Sequence, residues 1–185
     1  MSKVNGQRLA FVTTNPRKFA EAQEILQDFK LQQVKIEIPE IQGDARTVVE
    51  HKVREAAKKV EPPFFVDDTS LEFEAWGGLP GVYINDFMHK VGRENLVKML
   101  AEFENKKATA VALIGYADQK GEISIFEGRI EGEIVEPRGT VEFGWDPIFE
   151  PVGYKETFAE MGIAKKAEIS HRKKALGELR KVLSA

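Results

Sequence analysis

Glu40, Asp67 and Asp68 are the acids best placed by type and context to do chemistry. Asp67 and Asp68 follow the short apolar run 64–66, which reads as a buried strand, and Glu40 stands between a strand and a helix in Pro39, Glu40, Ile41, Gln42, Gly43. The carboxylates are thus expected to converge at strand ends. Hard oxygen donors of this kind suit Mg²⁺, which takes one or two protein carboxylates and completes its shell with water and substrate phosphate. The competing reading is structural, with Asp68 capping a turn and Glu40 solvated.

Cations gather at two helix starts, where they oppose the helix dipole. Thr13, Thr14, Asn15, Pro16, Arg17 and Lys18 form a strand-to-helix turn whose free N–H groups favour an anion; capping by Thr14 or Asn15, with Pro16 at the first helical position, explains the same residues without a ligand. Ser170 is a good N-cap for the last helix, yet His171, Arg172, Lys173 and Lys174 fill its first turn and Lys166 precedes it. Arg172 shares a face with Leu176, Leu179 and Leu183 and should point inward. Arg and Lys only donate hydrogen bonds, so a ring of them favours a 6-keto purine over a 6-amino one. A solvated basic turn is the alternative for Lys173 and Lys174. Phe143, Gly144, Trp145, Asp146 and Pro147 place two aromatics beside an acid, able to stack on a base or simply to fill a core.

The elements that must position these groups can be read from periodicity. Residues 9–12 read as a buried strand, and Ala22, Leu26 and Phe29 as one face of a helix that follows. Val34, Ile36 and Ile38 alternate as a strand does, Val49, Val53, Ala56 and Val60 repeat at helical spacing, and Pro62 and Pro63 stop that helix. Gly77, Gly78, Leu79, Pro80 and Gly81 make a loop, Leu96, Leu100 and Phe103 mark a helix, and residues 108–116 and 123–134 read as a long antiparallel hairpin. The expected class is α/β with a mixed sheet.

With 185 residues, 42% of them hydrophobic, the chain reads as one domain with its own core. A net charge of -3 argues against nucleic acid as a partner, and the absence of cysteine excludes a thiol nucleophile and suits a reducing compartment. No apolar run approaches a membrane span, and the first residues show neither signal peptide nor presequence, so the cytoplasm is expected.

In this order the six segments 13–18, 39–43, 66–69, 77–81, 143–147 and 169–172 resemble the inosine triphosphate pyrophosphatase family, over nearly the whole chain. Their spacing looks more like the eukaryotic branch than the bacterial one. The resemblance implies an elongated two-lobed α/β fold, with a long mixed β-sheet flanked by helices and a central nucleotide cleft. It also implies a Mg²⁺ requirement, with Mn²⁺ as a substitute, a homodimer, and cleavage of ITP, dITP and XTP to the nucleoside monophosphate and pyrophosphate, which cleanses the nucleotide pool. Carried over by position, Thr13, Thr14, Asn15, Arg17 and Lys18 would bind phosphate, Glu40 and Asp68 would hold metal, and Lys52 and Thr69 would contact substrate. Asp68 and Lys18 would be catalytic, with Asp67 still an alternative base. Phe143 and Trp145 would flank the base, with Gly144, Asp146, Lys166, His171 and Arg172 around it. Asn85 stands where close relatives are expected to have Lys, and Thr14 where the family usually has Gly.

Overall fold

The computed structural model describes residues 8–140 and 144–184. Their strands form one mixed sheet: β1 (Arg8–Val12), β2 (Lys30–Val34), β3 (Phe64–Phe73), β4 (Pro80–Gly81), β5 (Lys107–Ala117), β6 (Ile123–Ile134) and β7 (Phe149–Pro151). The order is β2-β1-β3-β5-β6-β7, with β4 beside β3. β1 runs parallel to β2 and β3, and the other pairings are antiparallel. The helices are α1 (Pro16–Ile25), α2 (Ala45–Ala57), α3 (Ile84–Lys90), α4 (Arg93–Leu100), α5 (Phe158–Ile169) and α6 (His171–Leu183).

Unequal strand lengths create the cleft. β1 meets β3 only at Ala10–Phe64 and Phe11–Phe65, whereas β5 pairs with β3 from Phe64 to Phe73. Between Phe65 and Leu71, where β4 takes up the pairing, that edge of β3 therefore faces open space rather than another strand. α1 and α6 bury Phe11, Phe65, Ile114, Leu176 and Leu179 on one face of the sheet, and α2 buries Phe64, Val66 and Leu113 on the other. A separate core around Phe73, Leu96, Leu100, Phe149 and Phe158 fills the far ends of the long strands. At about 3.4 Å per residue these strands span roughly 35 Å, which gives the molecule its length and its two lobes. α6 lies directly on β6: a Cβ at Gly128 would stand 2.0 Å from the carbonyl oxygen of His171. Glycine at that position lets the first turn of α6 reach the cleft.

Several expectations are corrected. Asp67, Asp68, Thr69 and Ser70 do not end a strand, because β3 runs through them and Asp67 and Asp68 pair with Ile114 and Leu113 of β5. Long-range pairing overrides the low strand propensity of that run, and Asp68 caps no turn. β2 lies earlier than the alternation of Val34, Ile36 and Ile38 suggested; Ile36 and Ile38 follow it and pack against the α2 core. α3 and α5 were not anticipated. α5 hides its period because Gly162 interrupts it with φ of 70°, although Thr157 and Glu160 form a complete capping box at its start.

Candidate active site

Successive residues of a strand point to opposite faces, and this separates the two aspartates. Asp68 turns towards α2, where it meets the Lys52 ammonium, and Lys52 Nζ also donates to Glu40 Oε1 at 2.8 Å. The Lys52 and Asp68 side chains are 11% and 10% exposed, while that of Glu40 is 58% exposed. Burial alone would lower the Lys52 pKa, but Asp68 and Glu40 outweigh it and raise it. Lys52 is thus a firm cation bridging a loop and a strand.

Asp67 turns the other way, so the three expected acids do not converge. Its carboxylate accepts from Arg172 Nε at 2.6 Å, Lys18 Nζ at 2.7 Å and Thr69 Oγ1 at 3.0 Å, and its side chain is wholly buried. Burial would raise the Asp67 pKa; the Arg172 and Lys18 charges overcome that and hold it far below the usual carboxylate range. A carboxylate so committed is a poor proton acceptor.

Arg172 points inward as its helical face predicted, and its guanidinium also pairs with Glu21 and donates to Thr69 Oγ1 at 3.0 Å. The resemblance gives Arg172 to the base, but most of its donors go to Asp67, Glu21 and Thr69, because those acids would otherwise be buried without a counter-charge. Glu21 was not anticipated. It accepts from Ser170 Oγ at 2.7 Å and lies 3.4 Å from Lys166 Nζ. The available signal was its position: Lys18, Glu21, Ala22 and Ile25 fall at i, i+3, i+4 and i+7, so Glu21 lies on the face that α1 buries.

Burial opposes ionisation of Glu21, yet Arg172 and Lys166 bring its pKa down from 4.5 to about 2. A depressed folded-state pKa contributes stability that is present above pH 4.5 and is lost as pH falls through about 2. Glu21→Gln should therefore remove roughly 3 kcal/mol of pH-dependent stability across that window, at about 1.4 kcal/mol per unit. Urea unfolding of both proteins from pH 5 to pH 2 measures the slope, and parallel curves would discount this role for Glu21.

In the turn after β1, Asn15 Oδ1 caps α1 by accepting from the N–H groups of Arg17 and Lys18, at 3.0 and 3.2 Å, and Pro16 takes the first helical position. Capping is thus real here, and Lys18 leaves the turn to bind Asp67. Thr13, Thr14 and Asn15 nevertheless line an open cleft of about 620 Å³ with Lys18, Glu40, Lys52, Asp67 and Asn85. Asn85, carried by α3, supplies no positive charge where the resemblance expects Lys.

The cleft narrows into a recess between Asn15, Asn85, Gly144, Trp145, Lys166 and His171. Lys166 Nζ donates to Asp146 Oδ1 and Oδ2 at 2.9 and 2.7 Å and lies 5.9 Å from the centre of the Trp145 ring. Burial raises the Asp146 pKa, and Lys166 only partly offsets it. Trp145 is largely a core residue, packed on Phe149 and Phe158 at ring separations of 5.5 and 6.1 Å. Phe143 lies outside the described residues. His171 is 1% exposed, and among the described residues its Nδ1 and Nε2 are the buried side-chain polar atoms without a hydrogen-bond partner. Burial first, and the Arg172 charge second, hold its pKa well below 6.5, so the ring is neutral. A neutral imidazole brings one donor and one acceptor, and leaving both unmade in a buried place is costly. The recess measures about 60 Å³, small for a ligand pocket, so a ring that enters must displace part of its wall.

Among the described residues no three or more His, Asp and Glu gather as a metal cage. Glu40 and Asp68 do meet at one cation position, which Lys52 Nζ marks. Two carboxylates beside an open cleft fit Mg²⁺, which leaves most of its shell to water and phosphate, and do not fit a closed zinc site.

A model of the Ham1 family matches residues 9–182, and the chain belongs to that family. Solved structures agree over almost the full length. A Ham1 protein of Staphylococcus aureus superposes with a TM-score of 0.80 at 25% identity, and one of Coxiella burnetii with 0.81 at 30%; each comparison covers 96% of this chain and 98% of the other. The nucleoside-triphosphatase, or dITP/XTP pyrophosphatase, of Mycobacterium abscessus gives 0.70 at 29% identity, covering 94% and 98%. All three are bacterial, and the leaning towards the eukaryotic branch is not borne out.

Proposed function

We propose that this chain is a nucleoside triphosphate pyrophosphatase that hydrolyses the non-standard purine nucleotides ITP, dITP and XTP to the monophosphate and pyrophosphate, keeping deaminated purines out of DNA and RNA. Membership of the Ham1 family and likeness to the M. abscessus dITP/XTP pyrophosphatase support the reaction. The observation that carries the purine reading is His171, a buried neutral ring with both nitrogens unpartnered, lining a recess that shares Asn15, Lys18 and Asn85 with the open cleft where Lys52 lies.

In this reading the triphosphate lies along Thr13, Thr14, Asn15, Arg17 and Lys18. Asp68 accepts a proton from the water that attacks the α-phosphorus, and the bond to the bridging oxygen breaks to release pyrophosphate. Lys18 and Lys52 stabilise the negative charge, and Asp67 holds Lys18 and Arg172 in place. Glu40 and Asp68 would hold Mg²⁺, or Mn²⁺ in its place, which when bound neutralises charge on the leaving group. Trp145, and Phe143 with it, flanks the base; Gly144, Asp146, Lys166, His171 and Arg172 surround its edge, with Thr69 setting the Arg172 guanidinium.

We read residues 1–185 as one domain from its length and apolar content, as cytoplasmic from its lack of cysteine, and as a homodimer from the family likeness. The net charge of -3 argues against nucleic acid as a partner. No helix of the described residues is long and apolar enough to cross a membrane.

Selectivity tests this reading. Lys166 and Arg172 offer only donors, and neutral His171 can donate to the same oxygen, so a 6-keto group is favoured over a 6-amino group. ITP should exceed ATP in kcat/KM by roughly 10²-fold or more in a pyrophosphate-release assay. Comparable values for the two would discard the base recess.

A further inference from the structure

We propose that Lys52 is a resident cation: its ammonium holds Glu40 and Asp68 together until a divalent ion takes that position, and the displaced side chain then pairs with the phosphates of the substrate. The inference rests on the reading of Glu40 and Asp68 as metal ligands. A lysine of α2 bonds at once to an exposed loop carboxylate and a mostly buried strand carboxylate.

Two carboxylates that reach one point repel each other unless a cation lies between them. Before substrate and metal arrive, Lys52 is the group that does this. Its ammonium is compact and carries three donors on a flexible four-carbon stem, so it can leave the position without moving α2. Where it can go is set by the cleft, which Lys52 lines together with Thr13, Thr14, Asn15 and Lys18. A divalent ion brings twice the charge to the same carboxylates. The two cations then compete, since a monocation and a dication cannot share that position without strong repulsion. Lys52 would thus suppress metal binding in the resting protein and make the site responsive to a metal that arrives with a polyphosphate.

The consequence runs opposite to that of an ordinary binding residue. Removing Lys52 should tighten metal binding while it weakens turnover. Mn²⁺ titration of the nucleotide-free protein, read by electron paramagnetic resonance of the free ion, tests this on the wild type and Lys52→Met, with Lys52→Gln as a second variant should the first not fold. Both variants are expected to bind Mn²⁺ roughly tenfold or more tightly than the wild type, and Glu40→Gln added to either should reverse the gain. Lys59→Met controls for net charge, because Lys59 lines the same cleft and should shift affinity less than about threefold. Equal or weaker Mn²⁺ binding by the Lys52 variants, no Mn²⁺ binding by any protein, or an equal gain from Lys59→Met overturns the exchange. ITP hydrolysis by the wild type is scored separately: turnover with unchanged Mn²⁺ affinities removes the exchange alone, whereas absent turnover removes the pyrophosphatase reading itself.

Discussion

Asp68→Asn is expected to fold like the wild type and to lose turnover by roughly 10²- to 10⁴-fold, the usual contribution of a positioned proton acceptor. Folding survives because the Asp68 backbone stays in the ladder opposite Leu113 and an amide oxygen can still accept from Lys52. Chemistry does not, because the amide takes no proton from water and binds a cation weakly. Steady-state kinetics beside a thermal melt separate the two effects. Near-normal kcat with an unchanged melt would remove Asp68 from the reaction, and its neighbour is no substitute. Asp67 already accepts from Arg172, Lys18 and Thr69, and its charge is locked on by them.

The largest effect on stability belongs to Arg172→Met. This change leaves Asp67 and Glu21 buried without their main counter-charge, and breaking a buried pair from one side costs about 3–5 kcal/mol. An ordinary domain is stable by about 5–15 kcal/mol, so the loss is a large share of the total. Replacing the acids as well, in Asp67→Asn, Glu21→Gln, Arg172→Met, should recover part of the loss, since uncharged groups need no counter-ion. Urea unfolding at neutral pH measures both proteins. A loss below about 1 kcal/mol in the single variant would mean that the buried network contributes little to holding α1, β3 and α6 together.

Much of this arrangement is visible in the chain itself, for reasons that can be named. The long hairpin shows because a nearly continuous apolar run, buried along most of β5, is joined to the residues of β6 by a turn that Asp118 closes, accepting from the N–H groups of Lys120 and Glu122 at 2.8 Å. The start of α6 shows because Ser170 caps it, accepting from Lys173 N at 3.1 Å, and because Arg172 is buried on the same face as Leu176 and Leu179. The opposite facing of Asp67 and Asp68 does not show, because the polar run from Asp67 to Ser70 looks like a strand end, and only pairing with β5 carries the strand through it. Glu21 stays hidden for a related reason: an acid on a helix reads as solvated unless its partners, Ser170 and Arg172, are known to fold back from the far end of the chain. Both misses are of long-range contacts, which local periodicity does not record.

Hydrolysis of ITP with Mg²⁺ in H₂¹⁸O, followed by mass spectrometry of the products, tests the central claim most directly. Attack of water on the α-phosphorus, with Asp68 as proton acceptor, places the heavy oxygen in inosine monophosphate and leaves the pyrophosphate unlabelled. Label in the pyrophosphate, or release of inorganic phosphate with inosine diphosphate, would contradict it.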